Sequence, residues 1–193
     1  MEKYDILEPD FFYHIYNRGN NKENLFLEEE NYIHFFNLIK KHLCPIVHVY
    51  AYCLLKNHFH LLIKIKSKIE IEDVYSNINN LSQPFSNLFN AYTKAINKKY
   101  DRDGSLFKVR FKRERIDNDN YLRNVITYIH LNPVKHRFAN DFCKYEFSSF
   151  NSIMSVKPTL LKRVEVLKYF ENRENFLFVH KECLRKGMYE EFD

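Results

Sequence analysis

The period of apolar positions changes several times along this chain, and each change marks an element. Aromatic and β-branched residues fill positions 11–16, and Arg18-Gly19-Asn20-Asn21 follows with turn chemistry, which predicts a strand over 11–17. From 28 to 43, Tyr32, Phe35, Phe36, Ile39 and Leu43 recur at helical spacing, with acids opening the segment and Lys40-Lys41 closing it. Two apolar runs, 46–55 and 58–65, are separated only by Lys56-Asn57, the signature of a two-residue hairpin. In the second run, period-two geometry puts Phe59, Leu61, Ile63 and Ile65 on one face and His58, His60, Leu62 and Lys64 on the other. A short helix is expected within the polar stretch 67–80. A longer one follows Ser82-Gln83-Pro84, carries Phe85, Leu88, Phe89, Tyr92 and Ile96, and ends before Asp103-Gly104.

Residues 107–112 alternate, with Lys108, Arg110 and Lys112 on one side and Phe107, Val109 and Phe111 on the other, so a basic-faced strand is expected there, running on to 116. The last clear helix spans 118–131. Leu122, Ile126 and Ile129 make one row on it, Tyr121, Val125, Tyr128 and Asn132 another, and Pro133 is expected to end it. Strand, helix, strand, strand, helix, strand describes an α+β, ferredoxin-like (RRM-like) antiparallel sheet with helices on one face and an extra helix after it. The domain division is expected as 1–150, followed by a helical appendage over 151–193 in which 160–170 has helical character.

With 193 residues, 45% hydrophobic and 17% aromatic, the chain can bury one sizeable core, which excludes a disordered class. Cys44, Cys53, Cys143 and Cys183 form no C-x-x-C pair, and no apolar run approaches a membrane span, so the expectation is a reduced, cytoplasmic protein. The net charge is only +5, yet residues 94–115 hold nine basic and three acidic side chains. This local excess marks either a polyanion-binding surface or a solvated face.

The chemistry concentrates in two places. His58 and His60 project the same way from one strand, about 7 Å apart along the chain, near enough to share a metal ion. Tyr128 and Asn132, at i and i+4, share a helix face. A divalent ion held by neutral imidazoles and an amide oxygen keeps its full charge and can polarise a phosphodiester. A phenol is then a suitable nucleophile, because a phosphotyrosine link stays activated and can be reversed. Against this stands the ordinary reading of any one tyrosine among 14 as a core aromatic. Tyr121 is the rival nucleophile but has Val125, not an amide, at i+4. His130 lies on another face and is expected to hydrogen-bond locally, and His14 and His48 could line the same sheet surface as the histidine pair, although their spacing asks for no metal. Phe107 and Phe111 could stack bases, but burial in the core is the favoured reading.

These residues resemble a known family. Asn57-His58-Phe59-His60 is similar to the HUH signature (His, hydrophobic, His), and the run from Tyr128 through His130, Asn132 and Pro133 to Val134 is similar to the catalytic-tyrosine helix of single-tyrosine HUH transposases. The REP-associated tyrosine transposases are the nearest branch. Tyr16-Asn17-Arg18-Gly19-Asn20, the run 104–111 and Phe147-Ser148-Ser149 support it, so that the resemblance covers about 11–150. Phe147 stands where that branch usually has Trp, and Lys135-His136 replaces a more usual Arg-Ala. The resemblance implies Mg²⁺ or Mn²⁺ on His58, His60 and Asn132, Tyr128 forming a 5′-phosphotyrosine, and hairpin-bearing single-stranded DNA as substrate, with a homodimer left open. Arg18, Lys108, Arg110, Lys112, Arg113 and Arg115 are the candidate DNA contacts. A non-catalytic DNA-binding protein of the same fold and a hydrolase of small phosphate esters are the competing classes.

Overall fold

The computed structural model describes residues 5–73 and 80–188. Four strands, β1 (Phe12–Arg18), β2 (Val47–Leu55), β3 (His58–Ile65) and β4 (Lys112–Ile116), form one sheet in the order β2-β3-β1-β4, with every neighbouring pair antiparallel. Helices α1 (Glu29–His42) and α3 (Gln83–Lys99) pack on one face through Phe35, Leu38, Ile39, Phe85, Leu88 and Tyr92, over Tyr13, Ile15, Phe59, Leu61 and Ile63. This is the ferredoxin-like arrangement expected from the element order. The short helix α2 is Lys68–Glu72; the rest of that polar stretch, 74–79, lies outside the described residues.

The opposite face is covered by α4 (Asp119–Lys135), which lies over β2 and β3. Leu122, Val125, Ile126 and Ile129 meet Ala51, Cys53, Leu55 and Leu62 in a second core. A β-bulge between Val49 and Ala51 makes both cores possible. The extra residue reverses the alternation, so Val49 and Leu54 face α1 and α3 while Tyr50, Cys53 and Leu55 face α4.

Residues after α4 complete that second core. Helices α5 (Phe150–Met154), α6 (Arg163–Lys168) and α7 (Arg173–Lys186) contribute Phe150, Ile153, Val166 and Phe176. The chain also covers the β2 edge: Leu54 N–H donates to the Phe147 carbonyl, Ser149 N–H to Tyr52 and Lys162 N–H to Val49. Phe147 stacks on Tyr32 with centroids 3.6 Å apart. His130 does not bond locally. Its Nδ1 is 2.9 Å from His180 Nε2 and its Nε2 is 2.7 Å from the Ser149 hydroxyl. Because His180 Nδ1 must donate to the Phe176 carbonyl, 2.7 Å away, the neutral chain has one arrangement: Ser149 donates to His130, and His130 to His180. Burial depresses both imidazole pKa values, His180 to about 4.

Three boundaries differ from expectation. The strand expected over 107–116 begins only at Lys112, because Arg110 adopts a left-handed φ of 67° that breaks extended pairing. Pro133 lies inside α4, which continues to Lys135; Leu131, Asn132 and Pro133 are all buried, and this packing outweighs the local preference. The helical segment expected over 160–170 is the shorter α6, and α7 follows it. Among the described residues no helix is long and apolar enough to cross a membrane.

Candidate active site

The geometry begins at the β2–β3 hairpin. Asn57 occupies the second position of the two-residue turn, and its side-chain oxygen lies 2.6 Å from His58 Nδ1. An amide oxygen only accepts, so Nδ1 carries the proton and Nε2 is the lone-pair nitrogen of His58. The same turn is knitted to the end of β1, where Gly19 N–H donates to the Asn57 carbonyl at 2.8 Å and Asn20 N–H to Leu106 at 2.8 Å. A side chain at Gly19 would have its Cβ 2.0 Å from the Glu23 carbonyl oxygen, so close approach of backbone explains the glycine in the Arg18-Gly19-Asn20 turn.

On β3, His58 and His60 project to the α4 side, with ring centroids 5.3 Å apart. His60 Nδ1 is 2.9 Å from Nε2 of the buried His14 on β1. The Tyr128 ring stands edge-on to both, 5.4 Å from His60 and 5.9 Å from His14. Helix α4 thus brings Tyr128 to the face of the sheet that carries the two imidazoles. Its last turn adds Lys135, whose Nζ lies 5.0 Å from the Tyr128 ring centroid, and His136 follows with its ring 4.6 Å from that of His58. Burial, followed by the neighbouring His14, His58, His136 and Lys135, drives the His60 pKa well below its ordinary value, so this imidazole is neutral at physiological pH.

Asn132 is wholly buried one turn after Tyr128, and its Nδ2 donates to the Tyr128 carbonyl at 2.9 Å. That acceptor settles the amide orientation and turns Oδ1 outward from the bond. Asn132 Oδ1 and His60 Nε2 are buried atoms with no hydrogen-bond partner among the described residues. Leaving such atoms bare costs about 1–3 kcal/mol each, and a divalent cation is a species that either atom can ligate. No group of three or more His, Cys, Asp or Glu among the described residues is arranged to hold a metal. The amide oxygen of Asn132 is the donor that α4 carries one turn after Tyr128. The donor set fits a borderline-to-hard divalent ion.

A cleft of about 710 Å³ opens where the end of β1, the start of β3 and residues 108–112 meet. His58 and His60 line it together with Arg18, Lys22, Lys108, Arg110 and Lys112; the described lining includes five cations and no carboxylate. Lys108 is tied in place by its N–H to the Arg18 carbonyl, at 2.9 Å, and by its own carbonyl to Asn17 Nδ2, at 3.2 Å. Four of the six basic residues singled out from the sequence therefore share the cleft with the histidines. Arg113 and Arg115 do not. They alternate to the other face of β4, where Arg113 donates to the Ser82 hydroxyl at 2.8 Å and Arg115 pairs with Glu8 and Asp117. Lys99 and Arg102 pair with Glu28 and Glu23, so the basic stretch splits between structural ion pairs and the cleft. Phe107 and Phe111 are buried in the α1–α3 core, as favoured from the sequence.

Two other phenols lie nearby. Tyr121 and Tyr16 both donate to Glu114, at 3.5 and 2.7 Å, and the Tyr121 pKa is raised by burial and by that carboxylate. The Tyr16 ring stacks on His60 at 5.6 Å. The sequence reading left out Tyr16, His14, Lys22, Lys135 and His136 from the site. Tyr16 and the Lys135-His136 pair stand out in the motif match, and His14 is expected on the same sheet surface; for Lys22 there is no signal.

The pattern of the family described as "Transposase IS200 like" matches residues 9–132, ending on Asn132. A Haemophilus influenzae protein assigned to the REP-associated tyrosine transposases is 32% identical over 128 residues, spanning 63% of this chain and 70% of its own length. Among solved structures, a REP-associated tyrosine transposase bound to a REP hairpin superposes with a TM-score of 0.62 at 17% identity, covering 82% of this chain and 89% of its own. That likeness supports the fold.

Proposed function

The chain belongs to the IS200-like transposase family, in its REP-associated tyrosine branch, whose members nick and join DNA, and on that premise we propose that it cleaves and rejoins single-stranded DNA through Tyr128. The observation that carries this reading is the Tyr128 ring at right angles to His60, 5.4 Å away, where His60 lines the cation-rich cleft and the buried Tyr128 and Asn132 lie behind that lining. In the proposed reaction the Tyr128 oxygen attacks a phosphate lying on the cleft floor. A bond forms between that oxygen and phosphorus, the phenol proton leaves, and the bond to the 3′ oxygen breaks as that oxygen takes up a proton. The product is a 5′-phosphotyrosine and a free 3′-hydroxyl, and attack by a 3′-hydroxyl reverses the step without ATP.

His58, His60 and Asn132 would hold Mg²⁺ or Mn²⁺, which when bound would supply charge stabilisation to the phosphoryl oxygens. Arg18, Lys108, Arg110 and Lys112 would bind backbone phosphates and set the path of the strand. Tyr128 is only 1% exposed, so its cover, Lys135 included, must shift as DNA enters. A hairpin beside the cleaved strand is the proposed substrate, by analogy with the hairpin held by the structural relative.

Tyr16 is the competing nucleophile, because it stacks on His60 and its hydroxyl meets a carboxylate at 2.7 Å. The two readings separate by trapping. Incubated with a labelled hairpin-bearing oligonucleotide and Mn²⁺, the wild type should form a covalent adduct that survives denaturing electrophoresis. Tyr128→Phe should bind the same DNA and form none, whereas Tyr16→Phe should retain the adduct. An adduct that persists in Tyr128→Phe and vanishes in Tyr16→Phe transfers the role. DNA binding with no nick in any condition leaves a binding protein of the same fold.

A further inference from the structure

The two imidazoles of the candidate metal site are each backed by a second group, and those groups are different. Behind His58 stands Asn57, whose side-chain oxygen can only accept. Behind His60 stands another imidazole, His14, wholly buried on β1, with its Nε2 2.9 Å from His60 Nδ1. The β1–β3 register pairs Tyr16 with His60 and His14 with Leu62, so His14 is the diagonal neighbour of His60 on the same sheet face. An imidazole–imidazole hydrogen bond contains one proton and has two arrangements. If His14 donates, His60 carries its own proton on Nε2. If His60 donates, its Nε2 is a bare lone pair, aimed from a buried position that has no protein partner among the described residues. A nitrogen that carries a proton has no lone pair for a cation, so only the second arrangement is compatible with metal ligation.

We propose that His14 is a positioning residue, the buried acceptor that holds His60 with its proton on Nδ1 and its Nε2 lone pair presented to the cation, while its ring sets the place of Tyr128. The second half rests on the 5.9 Å, 79° contact between the His14 and Tyr128 rings and on the stacking of His14 on Tyr16 at 4.8 Å, which fix the imidazole plane from both sides. His14 touches neither phosphate nor ion in this scheme. It acts through His60, as outer-shell partners of metal-bound histidines do generally. The inference depends on the metal reading of the site.

The test measures Mn²⁺ affinity by isothermal titration, in the absence of DNA, for the wild type, His60→Ala, His14→Gln and His14→Leu. Gln can return an acceptor oxygen toward Nδ1, whereas Leu fills space without one. The expected result is a Kd raised about 10–100-fold in His14→Leu, a smaller rise in His14→Gln, and loss of binding in His60→Ala. A His14→Leu protein that is folded by circular dichroism and binds Mn²⁺ as tightly as the wild type, while His60→Ala does not, overturns the role of His14 and leaves the metal site standing. Equal binding by the wild type and His60→Ala overturns both. A second readout needs no variant at position 14: ¹⁵N spectra of the Mg²⁺-saturated wild type should show His60 protonated on Nδ1, and a proton on Nε2 overturns the proposal.

Discussion

Replacing Lys108 and Arg110 together with alanine removes two of the five cations that line the cleft and leaves both histidines in place. Neither residue belongs to a core cluster, and the Lys108 contacts to Arg18 and Asn17 use its backbone, so the loop should survive the change. Each phosphate neutralised on a single strand contributes about −0.7 to the slope of log K against log salt, so full engagement of five cations gives a slope of about −3.5. Between about 50 and 200 mM KCl this slope corresponds to a loss of affinity on the order of 100-fold, and the double variant should show a slope nearer −2. The measurement is fluorescence anisotropy of a labelled single strand, titrated at several KCl concentrations with EDTA present to remove any contribution from metal. The matched control is Arg113→Ala/Arg115→Ala, which removes the same charge from the other face of β4. Its slope should stay within a few tenths of the wild-type value. A control that lowers the slope as much as the cleft variant would show that DNA does not follow the cleft, and the assignment of Lys108 and Arg110 would fail with it.

Asn132→Ala should weaken Mn²⁺ binding and Mn²⁺-dependent adduct formation at least tenfold, with Asn132→Asp retaining an oxygen ligand and so more of both; unchanged Mn²⁺ binding in the alanine variant would remove Asn132 from the site. Gly19→Ala forces a Cβ against the Glu23 carbonyl, so thermal unfolding should report a loss of about 1–3 kcal/mol, and an unshifted Tm would mean that the turn opens without cost. The His180 imidazole, held neutral by burial, has its pKa depressed from 6.5 to about 4. The unfolded chain therefore takes up this proton first: stability is full above pH 6.5 and drains as pH falls to about 4, by a total on the order of 3 kcal/mol from this group. Urea unfolding of wild type and His180→Leu at pH 7.5 and 5 should show a smaller pH difference in the variant, although His130, depressed in the same direction, keeps part of it. Equal differences in the two proteins would refute the argument.

How much of this site could be read without coordinates depends on which geometry a linear pattern encodes. Period two along β3 correctly places His58 and His60 on one face, and the hairpin at Lys56-Asn57 appears where the apolar runs break. Period 3.6 likewise locates α1, α3 and most of α4. What period cannot encode is which side chain on one strand meets which on the next. His14 and Tyr16 enter the site only through the β1–β3 register, and Lys135 and His136 only because α4 runs through Pro133 instead of stopping there. Nor can it show a single backbone torsion. The left-handed φ of Arg110 ends the alternation read across 107–116 and leaves Lys108 and Arg110 on a loop over the cleft. Helix α7 falls within the helical appendage expected over 151–193, but periodicity does not give its bounds because its buried apolar face is thin: Phe176 and His180 are its only fully buried residues. Its ends were nonetheless marked, by Asn172 capping the Asn175 N–H and by Gly187 in the left-handed conformation. Helix α7 explains a feature of α4 that was legible yet unexplained. His130 points away from Tyr128 because its Nδ1 is committed to His180 and its Nε2 to Ser149. That bond pins α4 from behind, so the segment after residue 150 helps to hold the rotation that sets Tyr128 against His60.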